Sequence, residues 1–458
     1  MSAIDDYLAS HAARFEEELC EFLRIPSVSA DSTLRDAMQE AAEWVADQFR
    51  RMRFSVEVIP TSGHPLVYAE SPKVPGAPTV LVYGHYDVQP PDPVEKWTNP
   101  PFEPILRDGH IFARGATDDK GQMLTHLKSA EAWVTVEGRL PINLKYLIEG
   151  EEEVGSHALG TFLAEHSDRL ACDCIVISDG AQFAPGVPAI TYGLRGIAYY
   201  ELLAKGPNRD LHSGSFGGSV TNPINALTQI LAGLIDEKGR VTIAGFYDDV
   251  IPVTPRERKE LAALPFDEKE YFAQVGVVGS TGEEGFSTLE RRWIRPTFDI
   301  SGIWGGYQGE GAKTVLPSTA GAKFSFRLVP NQDPAKITAG LKWKLAELCP
   351  PGVELDLIDH HGAPGVLVSL ESPYMAAAAR AIEHAFGRPP VYTREGGSIP
   401  IVTTFAKQLK ADTLLLGWGQ DDDNTHSPDE KFALADFHRG IQASARLWEE
   451  LGNNPNAE

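Results

Sequence analysis

Apolar residues fall into two different rhythms along this chain. Ile4, Leu8, Phe15, Leu19 and Phe22 recur at steps of three, four or seven, which predicts one amphipathic helix ending near Pro26. A second stripe, Met38, Ala42, Val45 and Phe49, predicts a helix over 34–52, followed by short strands at 55–59 and 66–70. The rhythm then changes. Residues 79–83 (TVLVY), 143–148 (NLKYLI), 174–178 (CIVIS) and 413–416 form nearly unbroken apolar runs, the mark of strands covered on both faces. Helical patterns over 121–136, 157–166, 372–386 and 432–451 alternate with them. This alternation predicts an α/β sheet with helices on both faces, whose ligands gather beyond the carboxyl ends of the strands. From 196 to 366 the texture differs, with a strand at 197–204, a helix at 223–235 and an alternating strand at 322–328. The expected organisation is therefore an α/β/α domain from 1–195 and 367–458, interrupted by an inserted α+β domain at 196–366.

Composition narrows the classes. The 458 residues are 42% hydrophobic and 23% charged, which suits a folded globular protein and excludes a disordered one. Acidic residues outnumber basic ones by 64 to 41, a formal charge of −23, and no basic patch offsets it. Nucleic acid is not an expected partner. No stretch is long and apolar enough to span a bilayer, so no membrane partner is expected. The first residues lack the basic start and apolar stretch of a secretory signal, so export is not expected. Cys20, Cys172, Cys174 and Cys349 are too few and too scattered to staple such a chain, which favours a reducing, cytoplasmic compartment.

Candidate chemistry sits where the buried runs stop. Gly84-His85-Tyr86-Asp87 follows the first run, and in extended chain His85 and Asp87 share one side, as a ligand and its orienting carboxylate would. Asp118 and Asp119 precede a helix start; a cap needs only one carboxylate, and Asp118 shared by two cations would explain the pair. Glu149, Glu151, Glu152 and Glu153 crowd the end of the second run, where mutual repulsion favours a cation or a proton. Asp179 ends the third run, and His426 lies past the fourth. Each could be a capped or solvated turn by itself. Together, His85, Asp118, Glu153, Asp179 and His426 make a nitrogen and carboxylate set without thiolate, which suits a pair of Zn²⁺ ions, with Mn²⁺ or Co²⁺ as alternatives. Glu152, beside a ligand, is the candidate general base. Asp421, Asp422 and Asp423 read as a solvated acidic turn, and His360-His361 as structural.

These segments, His85-Tyr-Asp87, Arg114-Gly-Ala-Thr-Asp118-Asp119, Glu149-Gly-Glu-Glu152-Glu153, Ser178-Asp179-Gly and Thr425-His426-Ser-Pro, resemble in order and spacing the M20 family of metallopeptidases. Within it the similarity is greatest to cytosolic nonspecific dipeptidases and carnosinase-like enzymes, over nearly the whole chain. The resemblance implies two zinc ions per subunit, one held by His85, Asp118 and Asp179 and the other by Asp118, Glu153 and His426. It implies that Asp87 orients His85 and that Glu152 is the base. It also implies that the insert is a lid and dimerisation domain whose His212 reaches the partner subunit's site in a homodimer. Thr314, Arg327, Gly397 and Ser398 would contact substrate, Arg327 through its terminal carboxylate.

The expected activity is hydrolysis of dipeptides or other short peptides. One rival keeps the metal pair and removes acyl groups from N-acyl amino acids. Another is a non-catalytic peptide-binding protein, which would have little use for both Glu152 and a full ligand set. A serine hydrolase is disfavoured because no G-x-S-x-G elbow is present.

Overall fold

The computed structural model describes residues 2–397 and 400–453. They divide into two compact units, Met1–Tyr192 with Val368–Thr393 and Thr404–Glu458, and Gly193–Leu367 with Arg394–Thr403.

The first unit is built on a mixed sheet. Its strands lie in the order Ser55–Ile59, Leu66–Glu70, Asn143–Glu149, Thr79–His85, Cys174–Ile177, Asp412–Gly417 and Ala189–Leu194. The middle four are parallel, with Tyr83 opposite both Leu147 and Ile177, and Leu414 opposite Val176. Their apolar residues are buried on both faces, with only the polar Thr79, Asn143, Lys145 and Asp412 half-buried. All four therefore end on the same side.

Helix Lys120–Glu137 is buried around nearly its whole first two-thirds. Its sequence accordingly lacks a single apolar stripe. Its buried polar groups are all answered: Lys120 donates to the Phe22 and Ile25 carbonyls at 3.1 and 2.7 Å, and Lys128 to Gln48 at 3.0 Å. His126 sits between the Ser178 and Ser444 hydroxyls at 2.9 and 3.0 Å. At the N-terminus the single expected helix is two, Ala3–Ser10 and Ala12–Leu23, parted at His11. The backbone leaves helical geometry at His11, with φ −111° and ψ 9°, and the His11 ring stacks on Tyr7 with Nδ1 2.9 Å from the Tyr7 carbonyl.

The second unit holds an antiparallel sheet in the order Thr297–Gly305, Thr319–Leu328, Gly196–Lys205, Glu354–Ala363. Gly196–Lys205 alternates strictly between buried and half-buried positions. Ala198, Tyr200, Leu202, Phe324 and Phe326 face a core completed by Leu227 and Ile230 of helix Pro223–Ala232 and Leu341 of helix Pro334–Leu348. The opposite face carries His360 and His361 at exposed positions, with His361 stacked on Tyr199. Among the described residues no helix is long and apolar enough to cross a membrane, and all four cysteines are unpaired.

Candidate metal centre

The parallel strands of the first unit deliver the chemistry. His85 is the last residue of Thr79–His85 and is fully buried. Gly84 before it has no room for a side chain: a Cβ there would lie 2.7 Å from Met123 Cγ and 2.9 Å from Asp119 Oδ2. Asp118 occupies the turn ahead of helix Lys120–Glu137, and Glu152 and Glu153 open the short turn Glu152–Val154 just past strand Asn143–Glu149. Asp179 stands two residues beyond Cys174–Ile177, and His426 lies in the loop between Asp412–Gly417 and Lys431–Ala433.

Two groups of possible ligands result, His85 with Asp118 and Asp179, and Asp118 with Glu153 and His426, each with its atoms within 4.8 Å of one another. Asp118 belongs to both. Its Oδ1 lies 3.2 Å from His85 Nε2, and its Oδ2 lies 2.8 Å from His426 Nε2. Asp179 Oδ2 is 3.9 Å from His85 Nε2, and Glu153 Oε2 is 3.4 Å from His426 Nε2. Although Asp118 is close, His85 Nε2 is buried without a hydrogen bond of acceptable geometry among the described residues, as is Glu153 Oε1.

The electrostatics point the same way. Burial, together with the charges of neighbouring carboxylates, pushes Asp179 and Glu152 above the usual carboxylate range. Hydrogen bonds to Asp118 and Glu153 push His426 up to about 10. Surplus negative charge is thus gathered around imidazole nitrogens with no thiolate nearby, and the donor set fits two borderline divalent cations.

Asp87 links His85 to the segment that carries Glu152 and Glu153. His85 Nδ1 is 3.0 Å from the Asp87 carbonyl and 3.3 Å from its Oδ1. The same carboxylate accepts the backbone N–H of Glu152 at 3.3 Å and of Glu153 at 3.2 Å. Glu151 turns away: it accepts from the backbone of His64 and Ala158, and its charge is not among the main influences on Glu152.

The family model for peptidase family M20/M25/M40 matches residues 81–450. The chain belongs to that family. It is 34% identical over 455 residues to the Cys-Gly metallodipeptidase dug1 of Schizosaccharomyces pombe, covering 96% of each chain. The solved structure of human carnosine dipeptidase 1 superposes with a TM-score of 0.84 at 31% identity, over 98% of each chain. That of the M20 family metallo-carboxypeptidase Sso-CP2 of Sulfolobus solfataricus gives 0.86 at 32% identity, over 96% of this chain and 99% of the other. The mixed α/β architecture is that of M20 peptidases, which are metal-dependent with dinuclear sites.

The remaining expected site residues of this M20 chain belong to the second unit. His212 is exposed, its Nδ1 accepting the Gly214 N–H at 3.0 Å, and its strand pairs His212 with Val315, beside the exposed Thr314. Arg327 is half-buried opposite Thr297 and Ile197 of the adjacent strands, near Asp299. Among the described residues nothing lies within 4 Å of a Cβ on Gly397, whereas one on Gly396 would meet Arg195 Nη2 at 2.9 Å and the Arg292 carbonyl at 3.1 Å. The close-packed glycine of the pair is therefore Gly396. Ser398 lies outside the described residues.

Sequence reasoning missed several supports. Gln89 Nε2 donates to Glu153 Oε2 at 2.7 Å, and nothing in its sequence setting marks it. Asp423 is no solvated acid, because it is fully buried and accepts from the Thr117 hydroxyl at 3.0 Å and the Gln420 N–H at 2.7 Å. It braces the turn that carries Asp118.

Proposed function

We propose that this protein is a dipeptidase that works with two divalent cations, zinc by preference, held by His85, Asp118 and Asp179 and by Asp118, Glu153 and His426. The observation that carries this reading is Asp118 turning one oxygen to each histidine. When bound, such a pair of ions would lower the pKa of a water at the site towards 7 and would polarise the scissile carbonyl. Glu152, whose burial raises its proton affinity, takes the proton as the water oxygen bonds to the carbonyl carbon. It then delivers that proton to the amine as the C–N bond breaks. Asp87 fixes both the His85 ring and the Glu152 backbone, so nucleophile and proton acceptor keep one geometry.

The second unit supplies the lid in this proposal. Arg327 receives the terminal carboxylate, a planar anion that a guanidinium fork fits, with Thr314, Gly397 and Ser398 lining the same substrate. His212 acts across a homodimer on the carbonyl oxygen of the partner's substrate, where one such donor is worth on the order of 10²- to 10³-fold. The four unpaired cysteines support a cytoplasmic location.

Assay of the purified, metal-loaded protein on Cys-Gly, β-alanyl-histidine, longer peptides and N-acyl amino acids tests the reading. Dipeptides should be hydrolysed fastest; cleavage of N-acyl amino acids alone would replace it with the deacylase. Mixing inactive His212→Ala and Glu152→Gln subunits should restore part of the activity if His212 works in trans.

A further inference from the structure

Glu430 belongs to neither group of possible ligands, yet it holds the turn whose Asp118 belongs to both. It is fully buried, four residues past His426. Its Oε2 accepts from Arg114 Nη1 and from the Gly115 N–H, both at 2.8 Å. Its Oε1 accepts the Thr117 N–H at 3.0 Å and the N–H of Asp118 itself at 3.2 Å. Even its carbonyl is used, accepting the Ala113 N–H at 3.0 Å, and Lys431–Ala433 continues this union as a strand paired with His110–Phe112.

Arg114 stands four residues before Asp118, and the symmetry is physical. Each ligand-bearing loop contributes, four residues from its ligand, one half of a buried ion pair. Arg114 Nη2 also approaches the Ser427 carbonyl at 3.3 Å, next to His426. A carboxylate oxygen can accept two hydrogen bonds, and both oxygens of Glu430 do so, mostly from backbone amides of one turn.

We infer that Glu430 is a positioning residue for the dinuclear centre: by gripping the amides of Gly115, Thr117 and Asp118 it fixes Asp118 between His85 and His426, so that both cation sites depend on one clamp. This rests on the two-cation reading above. Partners that orient a ligand typically change metal affinity by 10- to 100-fold when lost. Disturbing Glu430 should therefore weaken both ions, whereas removing the His426 imidazole should weaken chiefly one.

The ordinary alternative is a buried ion pair that merely stabilises the fold. Glu430→Asp separates the two, because it keeps the charge facing Arg114 but withdraws the carboxylate by one methylene from the amides. Titration of the full-length protein with Co²⁺, followed by visible absorption and competition with a chelator, should show both sites weakened at least tenfold in Glu430→Asp and in Glu430→Gln. His426→Ala should lose one site. Wild-type affinities and an unchanged cobalt spectrum in Glu430→Asp would overturn the inference, even if that variant melted earlier. Should neither Glu430 variant fold, hydrogen exchange of the metal-free wild type decides: protection of the Gly115, Thr117 and Asp118 amides comparable to the adjoining helix supports the clamp, and exchange at the rate of an open loop refutes it. Failure of the wild type to bind a second ion would instead sink the two-cation reading.

Discussion

Asp87 and Glu152 are joined side chain to backbone, the Asp87 carboxylate accepting the Glu152 N–H at 3.3 Å while it also faces the His85 ring. One carboxylate thus orients the candidate ligand His85 and places the candidate base Glu152. Replacing Asp87 with asparagine leaves one acceptor oxygen where two are used. Activity of Asp87→Asn should fall roughly 10- to 100-fold or more, with metal affinity reduced in parallel. Loss of turnover at unchanged metal affinity would show that Asp87 serves the base alone.

Glu152→Gln removes the proton acceptor but is isosteric and leaves every candidate ligand in place. Its kcat should drop by about 10²- to 10⁴-fold. Metal content, measured by elemental analysis, should match that of the wild type.

Stripping the ions with a chelator should abolish hydrolysis and lower the melting temperature, because the crowded carboxylates then repel one another. Zn²⁺ or Mn²⁺ should restore both. With free ion at 100 times its dissociation constant, each site adds about 2.7 kcal/mol of stability. A melting curve indifferent to chelation would contradict the assignment.

Acid should destabilise the fold through His126. Burial holds this imidazole down to about 3, against an ordinary value of 6.5. Between those values the folded protein keeps it neutral while the unfolded chain takes up a proton, so stability rises with pH across the window. Lowering the pH from 6.5 towards 3 should therefore cost up to about 1.4 kcal/mol per unit from this group. Urea unfolding at several pH values should give a flatter profile for His126→Asn than for the wild type; parallel profiles would exonerate His126.

Gly84→Ala tests how tightly the base of the site is packed. The new methyl group would press on Met123 and Asp119, and Asp119 accepts the His85 N–H at 3.2 Å. The expected loss is about 1–3 kcal/mol in a denaturant titration, accompanied by weaker metal binding through the displaced His85.

Much of the first unit could be read from the chain because its parallel strands announce themselves as unbroken apolar runs, and Thr79–His85 stops where its histidine becomes useful. Helix His157–His166 and strands Ser55–Ile59 and Leu66–Glu70 fall where the periodicity puts them. Strand Thr297–Gly305 left no such trace, since most of its residues are exposed or half-buried and no apolar alternation forms. Helix Pro334–Leu348 buries only Ile337, Leu341 and Leu345, a narrow stripe inside a charged stretch. At the site, side-chain types revealed the crowded acids but not their supports. Glu430 binds three backbone amides besides the Arg114 guanidinium, which lies over 300 residues away in the chain, and Asp423 binds a hydroxyl and an amide, so no local pattern in the sequence marks either.

His426 has a backbone φ of 60°, as its neighbours Asn424 and Asp429 have 57° and 59°. Asn, Asp and His enter this left-handed region more readily than other side chains, and most residues are penalised there by about 1–2 kcal/mol. The loop therefore filters which ligand mutation can deliver. A cysteine at 426, which would draw the centre towards softer ions, has to overcome its own backbone before it gains a metal, whereas aspartate is penalised less. Drift in metal preference at this position is channelled towards harder, oxygen-loving ions by main-chain geometry, independently of anything the ions prefer.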